Sequence, residues 1–207
     1  MTSAASQLEA VLLAAGAGRR LGQPKALLEL RGMWMLPRLV AVLAAAGASR
    51  VHVILRQEEE ALVRQRGLPE AARFVVNRES ELGRGSSVQA GLDQIPADCA
   101  ALIHPCDVPL LSLNAASRIV ATWMQARDRD LLAARPVTPG GRGGHPLLLG
   151  SARVAEARRL GPDRSLRELL HADPARRLDV LLRGDPGPFL DVDTQEQLQL
   201  IESLLPA

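Results

Sequence analysis

Tyrosine is absent from this 207-residue chain, and two tryptophans and two phenylalanines supply all the large aromatic rings. A stacking platform for nucleic-acid bases has little to be built from. An excess of one charge is missing too: 25 basic residues face 23 acidic ones, a formal +2, so the chain as a whole offers no strong field to nucleic acid. Cysteine is limited to Cys99 and Cys106. Two thiols so spaced make neither a structural zinc cage nor a disulfide scaffold. No charged segment followed by a long apolar one opens the chain, and the apolar run over 10–15 is too short to span a bilayer, so a cytoplasmic protein without membrane contact is expected. Lysine is nearly missing: Lys25 stands alone, and the other 24 basic residues are arginine. Either codon bias spared one lysine by chance, or position 25 needs a compact, rotatable ammonium that a guanidinium cannot replace.

What is present describes a folded chain. With 47% hydrophobic and 23% charged residues it can bury a sizeable core, and its length fits one domain over residues 1–207. Short apolar runs alternate with stretches of helical periodicity, the pattern of a layered α/β domain with a mostly parallel sheet. Strands are predicted over 10–15, 51–55, 73–76, 100–104 and 131–135, and helices over 37–46, 57–66, 86–94 and 113–127. Pro37 and Gly47 suit the two ends of the first helix. Residues 136–146, with prolines and four glycines, read as a long loop, either a binding element or plain surface. Beyond the apolar patch 147–149 come helices over 151–160 and 165–171, a strand over 178–182 and a closing helix from Gln195.

The first strand runs into Gly16-Ala17-Gly18-Arg19-Arg20-Leu21-Gly22-Gln23-Pro24-Lys25, a glycine-rich loop with three cations. Glycines let backbone N–H groups approach phosphate oxygens, and the cations neutralise a triphosphate. The glycine spacing and Pro24 argue against a dinucleotide-binding turn, whose helix must run on uninterrupted. A Walker A loop is excluded because no Gly-Lys-Ser/Thr occurs.

Asp107 follows the apolar run ending at His104, where strands of a parallel sheet open their binding crevice. One carboxylate facing a phosphate loop suits Mg²⁺, though an Asx-turn before Pro109 also accounts for it. Asp193 lies just before the last helix, which Thr194 and Gln197 can cap as a box without either neighbouring aspartate. Asp191, two residues earlier, points to the other side of an extended segment. Ser86 or Ser87 can cap a helix as readily as meet a base.

The stretch Leu13-Ala14-Ala15-Gly16-x-Gly18-x-Arg20-Leu21-Gly22-x-Pro24-Lys25 resembles the signature of the MobA-like nucleotidyltransferases. The resemblance continues through Asn77, the run 83–92, Asp107, Gly144-His145-Pro146 and Asp191-Val192-Asp193-Thr194. It implies a Rossmann-like three-layer α/β fold of the nucleotide-diphospho-sugar transferase type. It also implies a nucleotide site formed by Leu13, Ala14, Ala15, Gly16, Gly18, Lys25, Asn77, Ser86 and Ser87. Arg20, Lys25 and Asp107 are then the catalytic residues, Asp107 and Asp193 the Mg²⁺ ligands, and Gly144, His145 and Pro146 the acceptor loop. For His145, touching the acceptor and bracing the loop both remain open.

The Ala14-Ala15-Gly16 start is similar to the cytidylyltransferase branch, implying transfer of CMP from CTP to molybdopterin with release of pyrophosphate. A sugar- or polyol-phosphate nucleotidyltransferase, a guanylyltransferase, and a non-catalytic nucleotide-binding or chaperone-like protein are the alternatives. The chain departs from the molybdenum-cofactor branch at 161–167, where Asp163 and Arg167 stand in place of a Gly-Asp-x-Gly-Ala-Arg element.

Overall fold

The computed structural model describes residues 7–161 and 164–204; Asp163 lies outside them. The first strand, β1 (Leu8–Leu13), alternates its side chains between the two faces of a sheet. Ala10 and Leu12 join one apolar cluster, and Val11 joins the other. Helices α1 (Met35–Ala45) and α4 (Leu113–Gln125) cover the first face with Leu36, Leu39, Ile119 and Trp123. Helices α3 (Arg84–Leu92) and α5 (Ser151–Arg158) cover the second with Val88, Leu92, Val154 and Ala157. The result is the three-layer α/β fold expected.

Around β1 lie β4 (Val51–Leu55), β5 (Ala72–Val76), β6 (Ala100–Pro105), β7 (Ala133–Val137), β8 (Leu147–Leu149) and β9 (Arg177–Leu181). The seven-stranded sheet runs β5-β4-β1-β6-β8-β7-β9. Every neighbouring pair is parallel except those of β8, which is antiparallel to both β6 and β7. The strand order turns around between β1 and β6, and a sheet of this kind opens its crevice at the carboxyl ends of those strands. The glycine loop leaves β1 there, and Asp107 follows β6. Because β8 is reversed, Leu147 pairs with Ile103 near that same edge, and the segment entering β8 arrives beside Asp107.

Several expected boundaries shift. The long loop over 136–146 is shorter than predicted, because β7 continues through Pro136 and Val137, and Val137 bridges back to Gly143. The carbonyl of Pro136 accepts from the Gly144 N–H at 2.9 Å, while the proline ring nitrogen has no proton to donate back. Leu131 belongs to a single 3₁₀ turn, Arg129–Leu131, ahead of the strand. A two-stranded hairpin, β2 (Glu29–Leu30) with β3 (Met33–Trp34), precedes α1 and was not expected. With α1 starting at Met35, Pro37 falls within its first turn. Helix α3 begins at Arg84 after Gly83 as N-cap, so neither Ser86 nor Ser87 caps it. The remaining helices are α2 (Gln57–Arg66), α6 (Leu166–Ala172) and α7 (Gln195–Leu204).

A third, smaller cluster ties the loop to the chain's end. Leu21, in the middle of the glycine loop, is fully buried with Leu28, Val192 and Ile201 of α7. Thr194 and Gln197 form the reciprocal box expected at the start of α7, with Gln197 N–H reaching Thr194 Oγ1 at 3.3 Å and Thr194 N–H reaching Gln197 Oε1 at 3.1 Å. Among the described residues no helix is long and apolar enough to cross a membrane.

Candidate functional site

The glycine loop is folded by its own backbone. Gly18 takes φ +59°, and a Cβ there would lie 1.8 Å from the Gln23 carbonyl oxygen, so only glycine closes this turn. The Leu21 and Gly22 N–H groups both donate to the Gly18 carbonyl at 2.9 Å, and Lys25 N–H donates to Gly16 at 3.0 Å. Gly16 serves a side chain: its missing Cβ makes room for the Lys25 stem, whose Cδ would otherwise be 2.8 Å away.

So laid across the loop, the Lys25 ammonium sits between two carboxylates. It donates to Asp107 Oδ2 at 2.6 Å and also to Asp193 Oδ1. Burial works against the Lys25 charge, but Asp107 and Asp193 outweigh it and raise its pKa above the ordinary lysine value. The hydrogen bond from Lys25 holds the Asp193 carboxyl below the usual aspartate range against some desolvation, with Arg20 and Arg84 adding to the effect. Arg20 reaches Asp193 at 3.3 Å from an exposed position, and Arg84 reaches Asp107 at 3.2 Å. Burial pushes the neighbouring Cys106 thiol up, leaving it protonated and inert.

Two cavities open on this cluster. The first, about 350 Å³, is lined by Leu13, Ala15, Gly16, Lys25, Ser87 and Asp107 among the expected residues. Sequence reasoning missed Arg56, Ser80 and Glu81 on its far wall, where Glu81 pairs with Arg56 at 2.6 Å and Arg19 at 3.5 Å. Ala14 and Gly18 shape the loop from beneath and do not line the cavity. Nor do Asn77 and Ser86, which bond to each other. Asn77 donates to Ser86 Oγ at 2.9 Å and Ser87 Oγ at 3.0 Å and accepts from Glu79 N–H, while the single Ser86 hydroxyl proton is shared between the carbonyls of Glu79 and Gly83. This closed set braces the turn ahead of α3.

The second cavity, about 520 Å³, holds Gly144, His145, Asp191, Arg135, Arg142 and Arg167 on its walls. Pro146 is buried behind it. Gly144 packs on Phe189, and His145 N–H donates to the Pro188 carbonyl at 2.9 Å. Burial lowers the His145 pKa to about 4, with Arg84 contributing, so its ring is neutral at pH 7. His104 meets it edge-on at 6.3 Å and is lowered by burial to about 3. Asp191 lines the second cavity, whereas Asp193 lines neither and turns its carboxylate to Lys25.

The model of the MobA-like NTP transferase domain matches residues 10–178. The chain belongs to that family. This MobA-like protein is 32% identical over 167 residues to the nicotine blue oxidoreductase of Paenarthrobacter nicotinovorans, covering 79% of this chain and 81% of the relative. It is 36% identical over 138 residues to the bifunctional protein GlmU of Thermotoga petrophila, covering 66% of this chain but 30% of that protein. Its fold matches Rv0371c of Mycobacterium tuberculosis with a TM-score of 0.79 at 23% identity, over 97% of this chain and all of the other; a further structure of Rv0371c is a manganese complex, matched at 0.77 and 21% over 97% and 100%. Molybdopterin-guanine dinucleotide biosynthesis protein A of Archaeoglobus fulgidus matches at 0.71 and 16% identity, over 95% and 97%.

Proposed function

We propose that this MobA-like nucleotidyltransferase transfers CMP from CTP to a phosphorylated acceptor, molybdopterin foremost, and releases pyrophosphate. The observation that carries the reading is the convergence of Lys25 and Asp193 on Asp107, which lies on the wall that the two cavities share. The Ala14-Ala15-Gly16 start supports CTP, and the molybdopterin-related fold relative supports the acceptor.

The donor set suits a hard divalent cation such as Mg²⁺. Asp107 and Asp193 bring carboxylate oxygens to one point, and each keeps lone pairs beyond those taken by Lys25. Among the described residues no group of three or more histidine, cysteine or acidic side chains forms a protein cage. Mg²⁺ is held by one or two carboxylates plus phosphate oxygens and water, so two aspartates suffice. When bound, the ion supplies charge neutralisation at the phosphates. Asp107 and Asp193 are its ligands in this reading.

The chain's own residues do the rest. Leu13, Ala15 and Gly16 bound the triphosphate cavity, Lys25 brings positive charge to its wall, and Arg20 stands outside that wall on Asp193. Asn77 and Ser86 act on the nucleotide indirectly by fixing Ser87 and the turn ahead of α3. The acceptor phosphate enters past Gly144 and His145, with Pro146 behind them. A phosphate monoester is already ionised at neutral pH, so no general base is needed, and neutral His145 is not asked to be one. The protein aligns two anions and offsets their charge.

A second reading, a sugar- or polyol-phosphate acceptor, is favoured by the identity to GlmU. The deciding experiment is a Mg²⁺-dependent pyrophosphate assay crossing CTP, GTP and UTP with molybdopterin and several sugar phosphates. Release with CTP and molybdopterin is expected. Redox turnover of nicotine blue in place of pyrophosphate release would align the protein with its oxidoreductase relative and overturn both readings.

A further inference from the structure

The two cavities share Arg84, Pro105 and Asp107 on their walls. Of these, Arg84 is the one cation. Lys25 lines only the first cavity, while Arg135, Arg142 and Arg167 line only the second. Arg84 is the first residue of α3, and its side chain is 63% exposed although it reaches Asp107 at 3.2 Å. A guanidinium has five N–H donors, so this contact leaves others directed at the cavities. Asp107 is already neutralised by Lys25 at 2.6 Å and does not need a second cation for its own sake. On the shared wall, Lys25 and Arg84 both pair with Asp107, so two cations meet one carboxylate there.

We propose that Arg84 is a further catalytic residue, its guanidinium spanning the α-phosphoryl group in the first cavity and the incoming acceptor phosphate in the second. This rests on the nucleotidyl-transfer reading. In that step an acceptor phosphate oxygen forms a bond to the α-phosphorus while the bond from α-phosphorus to the bridging oxygen breaks. The electron pair leaves with pyrophosphate. No proton changes hands, and nothing is oxidised or reduced. The obstacle is repulsion between two anions, which a cation touching both offsets as they approach. Arginine's planar fork spreads its donors over separate nitrogens and can reach one phosphate on each side, a span that the single nitrogen of a lysine does not cover.

The test uses the full chain with Mg²⁺ and the nucleotide and acceptor pair that gives the fastest pyrophosphate release. Arg84→Met is expected to lower kcat about 100-fold, as loss of one charge-stabilising donor does. Its Kd for the Mg²⁺ complex of α,β-methylene-CTP, read by calorimetry, is expected to stay within about 5-fold, because binding is shared with the loop and Lys25. Arg84→Lys recovers only part of the rate, and millimolar guanidinium restores turnover to Arg84→Ala. The exposed Arg127→Met, beyond the end of α4, keeps wild-type turnover. Should Arg84→Met lose its fold, the lysine and alanine variants carry the test. Arg84 variants near wild-type kcat, or a loss confined to nucleotide Kd, overturn the assignment and leave the transferase reading intact. A wild type that releases no pyrophosphate with any pair overturns both.

Discussion

The Asp107 carbonyl accepts a hydrogen bond from the Val192 N–H at 2.7 Å, joining the segment after β6 to the segment before α7 through their backbones. Val192 is fully buried, so the two loops are fixed in register by packing as well. The carboxylates of Asp107 and Asp193 are therefore brought together without depending on their own side chains. Asp107→Asn and Asp193→Asn should lower metal-dependent turnover by about 100-fold or more while Tm changes little, the size expected when a group serving the transition state is lost. Pyrophosphate release titrated with Mg²⁺, alongside thermal melts, checks this; near-normal release from both variants sinks the site.

Lys25→Arg tests whether the lone lysine is meaningful. The Lys25 stem crosses Gly16 and its ammonium fits between two carboxylates, a geometry for a compact rotatable donor. Lys25→Arg is expected to behave nearly as poorly as Lys25→Ala in turnover. Full activity in the arginine variant returns the lysine to codon bias.

The two loop glycines should fail differently. Gly18→Ala sets a Cβ against backbone at a positive φ, and such strain costs about 1–3 kcal/mol or more, so a lowered Tm and weaker nucleotide binding are expected. Gly16→Ala meets only the Lys25 side chain, so Tm should hold while turnover falls. Equal melting losses in both would contradict this division.

Acid should unfold the protein earlier than its carboxylates alone predict. His104 and His145 stay neutral down to about pH 3 and 4 when folded, whereas in the unfolded chain each gains a proton near its ordinary pKa of 6.5. Unfolding therefore takes up protons, and stability falls as pH drops below about 6.5, by about 1.4 kcal/mol per unit for each ring. Denaturant melts from pH 7 to 4.5 should show this slope, and His145→Asn should remove about half of it. An unchanged slope in that variant would reassign the effect.

Much of this was legible before any coordinates. Short, largely apolar runs mark β4 and β6 because both faces of a central parallel strand are buried, and the aspartate after β6 follows from where such sheets bind ligands. The hairpin of β2 and β3 was not legible, since two residues per strand establish no period. Nor was β8, whose three leucines follow a segment dense in glycine and proline. Ser86 looked like a cap by local preference, yet its hydroxyl answers Asn77, nine positions away. Lys25 lies 82 and 168 positions from its two carboxylates, and no local signal measures such a contact. Arg84 stood in view inside a motif, but only the meeting of two cavities distinguishes it from the other arginines.

The reversed β8 gives the acceptor side an independence that an all-parallel sheet would not allow. The hairpin carrying Gly144 and His145 enters from the β7 half, while the glycine loop leaves β1, so in the proposed reaction nucleotide and acceptor belong to different parts of the sheet. Exchanging that one hairpin should redirect which phosphate is activated while the nucleotide and the chemistry stay as they are.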